Sequence, residues 1–170
     1  MKVTIARFNP ETDAEPHQET YEVAVRKGAR VLNVLDAVRD EIDPSISYRH
    51  CCRGGQCGSC AVRVNGEPAL ACMQEAKEGD LIEPLNLPLI RDLVTDIAAA
   101  IAQMAWLDAG DCLNCSHVSA EDIEEISPLR ECIECFSCLS SCPAVGASTY
   151  AGPTAIRQQR RLNLDPRDHT

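Results

Sequence analysis

Aromatic side chains are scarce in this chain, with two Phe, one Trp and three Tyr among 170 residues. A packed core must therefore rest on Val, Ile, Leu and Ala, and a core of that kind gains from any bound metal, whose binding energy adds to folding. A surplus of positive charge is also missing. Lys and Arg number 16 against 26 Asp and Glu, a net charge of −10, so a phosphate backbone is a poor partner and no nucleic acid is expected. No run of uncharged apolar residues reaches the roughly 18 needed to span a bilayer; the Ala-rich stretch from Ile97 to Leu107 is too short. The opening residues Met1-Lys2-Val3-Thr4-Ile5 lack the apolar centre of a signal peptide. The expected location is cytoplasmic, with peripheral attachment to the inner face of a membrane left to partner subunits. The length suits one domain or two small ones.

Cysteine is plentiful by contrast, with 11 residues. In Tyr48-Arg49-His50-Cys51-Cys52-Arg53-Gly54-Gly55-Gln56-Cys57-Gly58-Ser59-Cys60 the spacing from Cys52 is C-x4-C-x2-C, with a fourth cysteine at Cys72. That is the plant-type pattern for a 2Fe–2S cluster, in which four thiolates converge on two irons. The loop glycines allow unusual backbone angles and leave N–H groups free to face cluster sulfur. Zinc would prefer two separated C-x2-C pairs or a Cys/His mixture. A disulfide framework would need an oxidising compartment and usually an even number of cysteines. Cys51 does not fit the x4 step and reads as a spare or packed thiol.

The flanking segments place this loop. Lys2 to Phe8 reads as a strand, and the alternation of Tyr21, Val23 and Val25 as a second, half-buried one. Gly28 leads into a helix over about Val31–Glu41 with an apolar face of Leu32, Leu35, Val38 and Ile42, ended by Asp43-Pro44. After the loop, Ala61–Val64 is a strand, Asn65-Gly66 a hairpin turn, and Ala69–Cys72 the returning strand, which brings Cys72 towards Cys57 and Cys60. Leu81–Glu83 is a last short strand. The order fits an α+β fold that opens with a β-grasp, plant-type ferredoxin domain over residues 1–86. Strand patterning stops at Pro84–Pro88. From Leu89 through Ile90, Leu93, Val94, Ile97 and Ile101 to Met104 the spacing predicts a core-facing helix, the start of a small helical, bacterial-ferredoxin-like domain over residues 87–170.

That second part holds Cys132-x2-Cys135-x2-Cys138-x3-Cys142-Pro143, the bacterial run for 4Fe–4S clusters. In two-cluster ferredoxins the fourth cysteine of such a run serves the other cluster, yet no cysteine follows Cys142. Three arrangements remain: Cys142 closes its own cluster, Cys112 or Cys115 supplies a ligand, or a further segment or second polypeptide completes the site; a further C-terminal part is the reading preferred. Cys112-x2-Cys115 with His117 could also open a zinc site, though solvated or packed thiols are the commoner outcome. Ser119-Ala120-Glu121-Asp122 is expected to cap a short acidic helix closed by Pro128, and Gly152-Pro153 to open a basic helix through Arg157, Arg160 and Arg161.

Taken together, Arg49–Cys60, Asn65-Gly66 to Cys72, Glu83-Pro84-Leu85 through Ile90-Arg91-Asp92-Leu93-Val94, Cys132–Pro143 and Gly152-Pro153 make the chain resemble the iron–sulfur subunit of succinate dehydrogenase and fumarate reductase. The resemblance implies a 2Fe–2S cluster on Cys52, Cys57, Cys60 and Cys72. It also implies a 4Fe–4S cluster on Cys132, Cys135 and Cys138, with Cys142 the remaining candidate. The family usually continues to a second cysteine run that completes the 4Fe–4S site and binds a 3Fe–4S cluster near quinone, to which Cys142 would normally belong. The N-terminal half of the thiol-driven fumarate reductase of methanogens is similar, and there a heterodisulfide-reductase-like module follows. The implied role is single-electron transfer between an FAD-containing flavoprotein subunit and a second redox partner, a membrane anchor or such a module. The dicarboxylate chemistry would lie on the flavin and no acid or base on this chain. Arg49, His50 and Arg53 would tune the cluster or face the partner. The rival readings are a free-standing multi-cluster ferredoxin and a zinc-stabilised interaction module without redox activity.

Overall fold

Strand β1 (Lys2–Arg7) alternates, with Val3, Ile5 and Arg7 buried and the residues between them less so. β2 (His17–Glu22) runs antiparallel to it, in a register that pairs Lys2 with Glu22 and Arg7 with His17. The alternation places this second strand around Tyr21–Val25. It begins earlier because β1 offers no partner beyond its first residues; Val23 makes a last pair of bonds with Met1, its N–H donating to the Met1 carbonyl and its carbonyl accepting from the Met1 ammonium, each at 2.9 Å. These features belong to a computed structural model that describes residues 1–102, 104–107, 118–145 and 150–167.

Helix α1 (Val31–Glu41) spans the predicted residues. Its buried face is Val31, Leu32, Val34, Leu35 and Val38. Ile42, expected on that face, caps the helix with φ −124° and turns outward, 48% exposed. β3 (Ala61–Val64) and β4 (Glu67–Leu70) form the expected hairpin, the returning strand lying earlier than Ala69–Cys72 because the two-residue turn starts pairing at once, and Asn65 and Gly66, at φ 53° and 85°, give the two left-handed residues of a tight type I′ turn. β5 (Leu81–Glu83) lies between β1 and β3, parallel to the first and antiparallel to the second. The sheet order is β2-β1-β5-β3-β4. The helix residues share one core with Val3, Ile5, Val62 and Ile82, and each such aliphatic side chain is worth about 1.5–3 kcal/mol of transfer free energy.

The helix predicted from Leu89 to Met104 is not formed over its first half. β6 (Leu89–Arg91) and β7 (Val94–Thr95) make a small antiparallel hairpin, and only Ile97–Ala102 is helical, as α2. Tertiary contacts override the helical spacing here. Asp92, at φ 44° and 2% exposed, accepts from Arg7 Nε (2.9 Å), the Phe8 N–H (2.9 Å) and the Ser47 N–H (2.8 Å). Leu93 packs in the core of the sheet. A buried carboxylate with a buried guanidinium partner and two amide donors is well satisfied, and satisfying it requires a turn at Asp92.

Beyond the hairpin lie α3 (Ala120–Arg130), α4 (Ser137–Ser141) and α5 (Pro153–Asn163). Ser119 caps α3 as predicted, its hydroxyl accepting from the Asp122 N–H at 3.1 Å. Pro128 does not close that helix, which continues to Arg130; a proline in the last turn removes one backbone bond without stopping it. α3 packs on α5, and α4 on both α5 and the edge strand β4. Leu85, Ala100, Phe136 and Leu139 form a second, smaller core. Among the described residues no helix is long and apolar enough to cross a membrane.

Candidate metal centres

The first cysteine loop is held from two sides before its thiols are considered. From the α1 side, Asp36 accepts from Tyr48 Oη at 2.7 Å and pairs with Arg53 at 2.6 Å. From the hairpin side, the Leu93 N–H reaches the Ser47 carbonyl at 3.2 Å and Arg49 Nη1 the Thr95 carbonyl at 2.7 Å. Cys72 is placed by the N-terminus of α1. The Leu32 and Val31 N–H groups, which have no partner inside the helix, donate to the carbonyls of Ala71 (2.8 Å) and Gln74 (2.9 Å). The Ala71 N–H donates to the Cys60 carbonyl at 3.0 Å, so Cys72 follows the end of β4 directly beside Cys60.

Within the loop the backbone is aimed at sulfur. The Gly54 and Gln56 N–H groups point at Cys52 Sγ at 3.4 and 3.3 Å, and the Cys52 N–H at Cys57 Sγ at 3.5 Å. Ser59 Oγ lies 3.0 Å from Cys57 Sγ. The Ser59 hydroxyl, then the Cys52 amide, draw the Cys57 thiol down to about 6, while burial pushes Cys60 up to about 11. Side-chain contacts join Cys57 with Cys52 and Cys60 with Cys72. Two thiol pairs with amide donors around them are the donor set that two tetrahedral irons bridged by sulfide would take, and they fit that group. Cys60 and Cys72 are buried, Cys57 half-buried, and Cys52 and Cys51 exposed; the amides single out Cys52, not Cys51. Among the described residues no group of three or more His, Cys, Asp or Glu is arranged to hold a single metal ion.

The second loop is built differently. Glu134 and Phe136 take left-handed angles, φ 52° and 60°, without being glycine. Phe136 is anchored by burial, 3% exposed. Glu134 is anchored by Arg157 Nη2 at 3.0 Å, and the same guanidinium donates through Nη1 to the Leu129 carbonyl at 2.6 Å. Asn86 ties the junction to α4, its N–H donating to Ser140 Oγ at 2.8 Å. Cys135 Sγ donates to Ser137 Oγ at 3.3 Å, and Cys138 Sγ lies 3.4 Å from Thr154 Oγ1. Cys132 and Cys138 are exposed, Cys135 and Cys142 half-buried. Cys112, Cys115 and His117 lie outside the described residues.

A family profile described as a 2Fe-2S iron-sulfur cluster binding domain matches residues 2–102, a span that includes all four cysteines of the first site. The iron–sulfur subunit of fumarate reductase from Haemophilus influenzae is 36% identical over 99% of this chain and 75% of its own length. The chain belongs to the family of iron–sulfur subunits of succinate dehydrogenase and fumarate reductase, which transfer electrons within such complexes. A fumarate reductase (CoM/CoB) subunit of Methanothermobacter marburgensis is 40% identical over 99% of this chain, which spans only 35% of that protein's length. In a solved Sdh1 complex of Mycobacterium smegmatis, one chain superposes with a TM-score of 0.84 at 29% identity, covering 99% of this chain and 76% of that one.

Sequence reasoning does not single out Ser59, Asp92 or Thr154. Ser59 sits inside the cysteine motif, and its hydroxyl is the signal available there. Thr154 reaches Cys138 only because α5 docks against α4, and no local pattern announces that. Asp92 lies in a stretch whose spacing reads as helix.

Proposed function

We propose that this chain passes single electrons along two iron–sulfur centres, between an FAD-containing flavoprotein subunit and a second redox partner. The first site is a 2Fe–2S cluster held by Cys52, Cys57, Cys60 and Cys72; the second is a 4Fe–4S cluster held by Cys132, Cys135 and Cys138, with Cys142 as the fourth candidate. The observation that carries the reading is the meeting of four thiols from a loop and a hairpin return as two pairs, with amides aimed at Cys52 and Cys57. When bound, the clusters supply reversible one-electron chemistry. The residues of this chain bind and orient. The Gly54, Gln56 and Cys52 amides and the Ser59 hydroxyl favour negative charge on sulfur, and Asp36 and Asp92 fix the loop that carries them.

The N-terminal unit is proposed to be of the β-grasp ferredoxin type and residues 87–170 a small helical unit of the bacterial ferredoxin type, with Leu89–Thr95 a strap that the second lends to the first. The dicarboxylate reaction belongs to the flavoprotein. The second partner is a membrane anchor or a heterodisulfide-reductase-like module, and the name of the methanogen relative, which joins fumarate reductase to CoM/CoB, favours a thiol-linked one. A cytoplasmic location follows, peripheral to the inner face of a membrane where the partner is an anchor.

Single serine replacements in anaerobically purified protein test the assignment. Cys72→Ser is expected to remove or shift the 2Fe–2S electron paramagnetic resonance signal alone, and Cys138→Ser the 4Fe–4S signal alone. A full set of unaltered signals in either variant would contradict the ligand set. Cys142→Ser decides whether the fourth candidate closes the second site.

A further inference from the structure

Gly58, in the first cysteine loop, lies against the second. It has φ +71°. A Cβ built on it would lie 2.8 Å from the Ile133 carbonyl oxygen, 2.9 Å from Cys135 Cβ and 3.0 Å from Cys135 Cα. Two of these atoms are backbone, so nothing flexible can move aside. Beside this contact the loops part around a cavity of about 180 Å³ whose lining includes Arg49, Cys57, Ser59, Leu85 and Glu134. At Gly58 the first loop thus lies so close to the backbone of the second that no Cβ fits between them, beside the flanking thiols Cys57 and Cys60 and the second-loop thiol Cys135.

We infer that Gly58 is the positioning residue that sets the separation of the two cysteine loops, and with it the coupling of the centres they hold. This rests on the two-centre reading above and adds to it a residue and a distance. Electron tunnelling falls exponentially with separation and magnetic dipolar coupling with its inverse cube. A side chain at position 58 therefore acts on both by pushing the loops apart, without touching a thiol.

Gly55 provides a matched comparison. Its φ is +75°, nearly that of Gly58, but the atoms nearest its Cβ would be those of the exposed Met73 side chain, the closest at 3.0 Å from Cγ. Gly55→Ala and Gly58→Ala thus share the backbone strain that a left-handed alanine brings and differ in the clash across the interface. Two readouts on the anaerobic holoprotein separate them. One is amide hydrogen exchange over residues 132–136; the other is the relaxation enhancement that the reduced second centre confers on the first centre's paramagnetic signal. Gly58→Ala is expected to lose protection at 132–136 and to lose the enhancement, whereas Gly55→Ala keeps both. Where Gly58→Ala fails to take up the first cluster, exchange at 132–136 still decides, because it needs no iron at the first site. Equal exchange and equal relaxation in the two variants overturn the inference while leaving two centres in place. Absence of iron from the parent protein would overturn the two-centre reading instead.

Discussion

The two cysteine loops solve one problem by different means. The first hangs from a five-stranded sheet and a helix that share a core of eighteen buried residues among the described ones, and two thiols of its site, Cys60 and Cys72, belong to that core. The second rests on Leu85, Ala100, Phe136 and Leu139, the members of the smaller core among the described residues, with Cys132 and Cys138 exposed. Glycine carries two of the three left-handed positions in the first loop, at Gly55 and Gly58 beside Arg53. In the second loop, Glu134 and Phe136 adopt them at the usual cost of about 1–3 kcal/mol each. The lesson is that the first loop is braced by the main sheet and helix, whereas the second has a smaller core to brace it; a metal bound there would contribute to folding as well as to function.

The sharpest way to break this contrast is to remove the anchor of the first loop. Asp92→Ala leaves the buried Arg7 guanidinium without its most buried partner and the Phe8 and Ser47 amides without an acceptor. A loss of about 3–5 kcal/mol is expected, read as a lower urea midpoint, together with loss of the 2Fe–2S signal. Gly152→Ala attacks the other side. At φ +92° its Cβ would run into Leu139 Cδ1, so overpacking and strain add to roughly 2–4 kcal/mol. The expected result is loss of the second centre with the first intact.

Much of this architecture is legible in the sequence. The strands at Lys2, Ala61 and Leu81, the helix over Val31–Glu41, the Asn65-Gly66 turn and both cysteine runs follow from spacing and turn chemistry. The failure at Leu89–Thr95 has a physical cause: apolar residues there are spaced as in a helix, but Asp92 is held by Arg7, Phe8 and Ser47, which lie 45 to 85 residues away in sequence. The meeting of Gly58 with Cys135 is likewise long-range, and spacing within either run says nothing of it.

Acid titration gives a milder test. Burial works to raise the Asp43 carboxyl, but the Ser45 hydroxyl, Arg7, the Ser45 amide and Tyr21 together hold it well below the usual carboxylate range. A carboxyl depressed on folding stabilises fully above its unfolded value of about 4 and loses that stabilisation as pH falls towards the folded one. The melting temperature of the N-terminal unit is therefore expected to fall below about pH 4, and the fall to be shallower in Asp43→Asn.

The smallest effect is expected from Arg53→Ala. Removing the 2.6 Å pair with Asp36 takes away one exposed tie of the loop, while the Tyr48 bond, Arg49 and Ser47 still hold it. First-cluster absorbance should bleach somewhat faster under chelator, with unchanged paramagnetic signals. A collapse of the first site would mean that the fold presets it less than the sheet and helix suggest.

The most direct measurement is iron and acid-labile sulfide content combined with electron paramagnetic resonance on anaerobically purified, reduced protein. Two centres predict about six irons and six sulfides per chain, as one 2Fe–2S and one 4Fe–4S signal. Iron-free protein that stays folded, or a single centre carrying all the iron, would contradict the account.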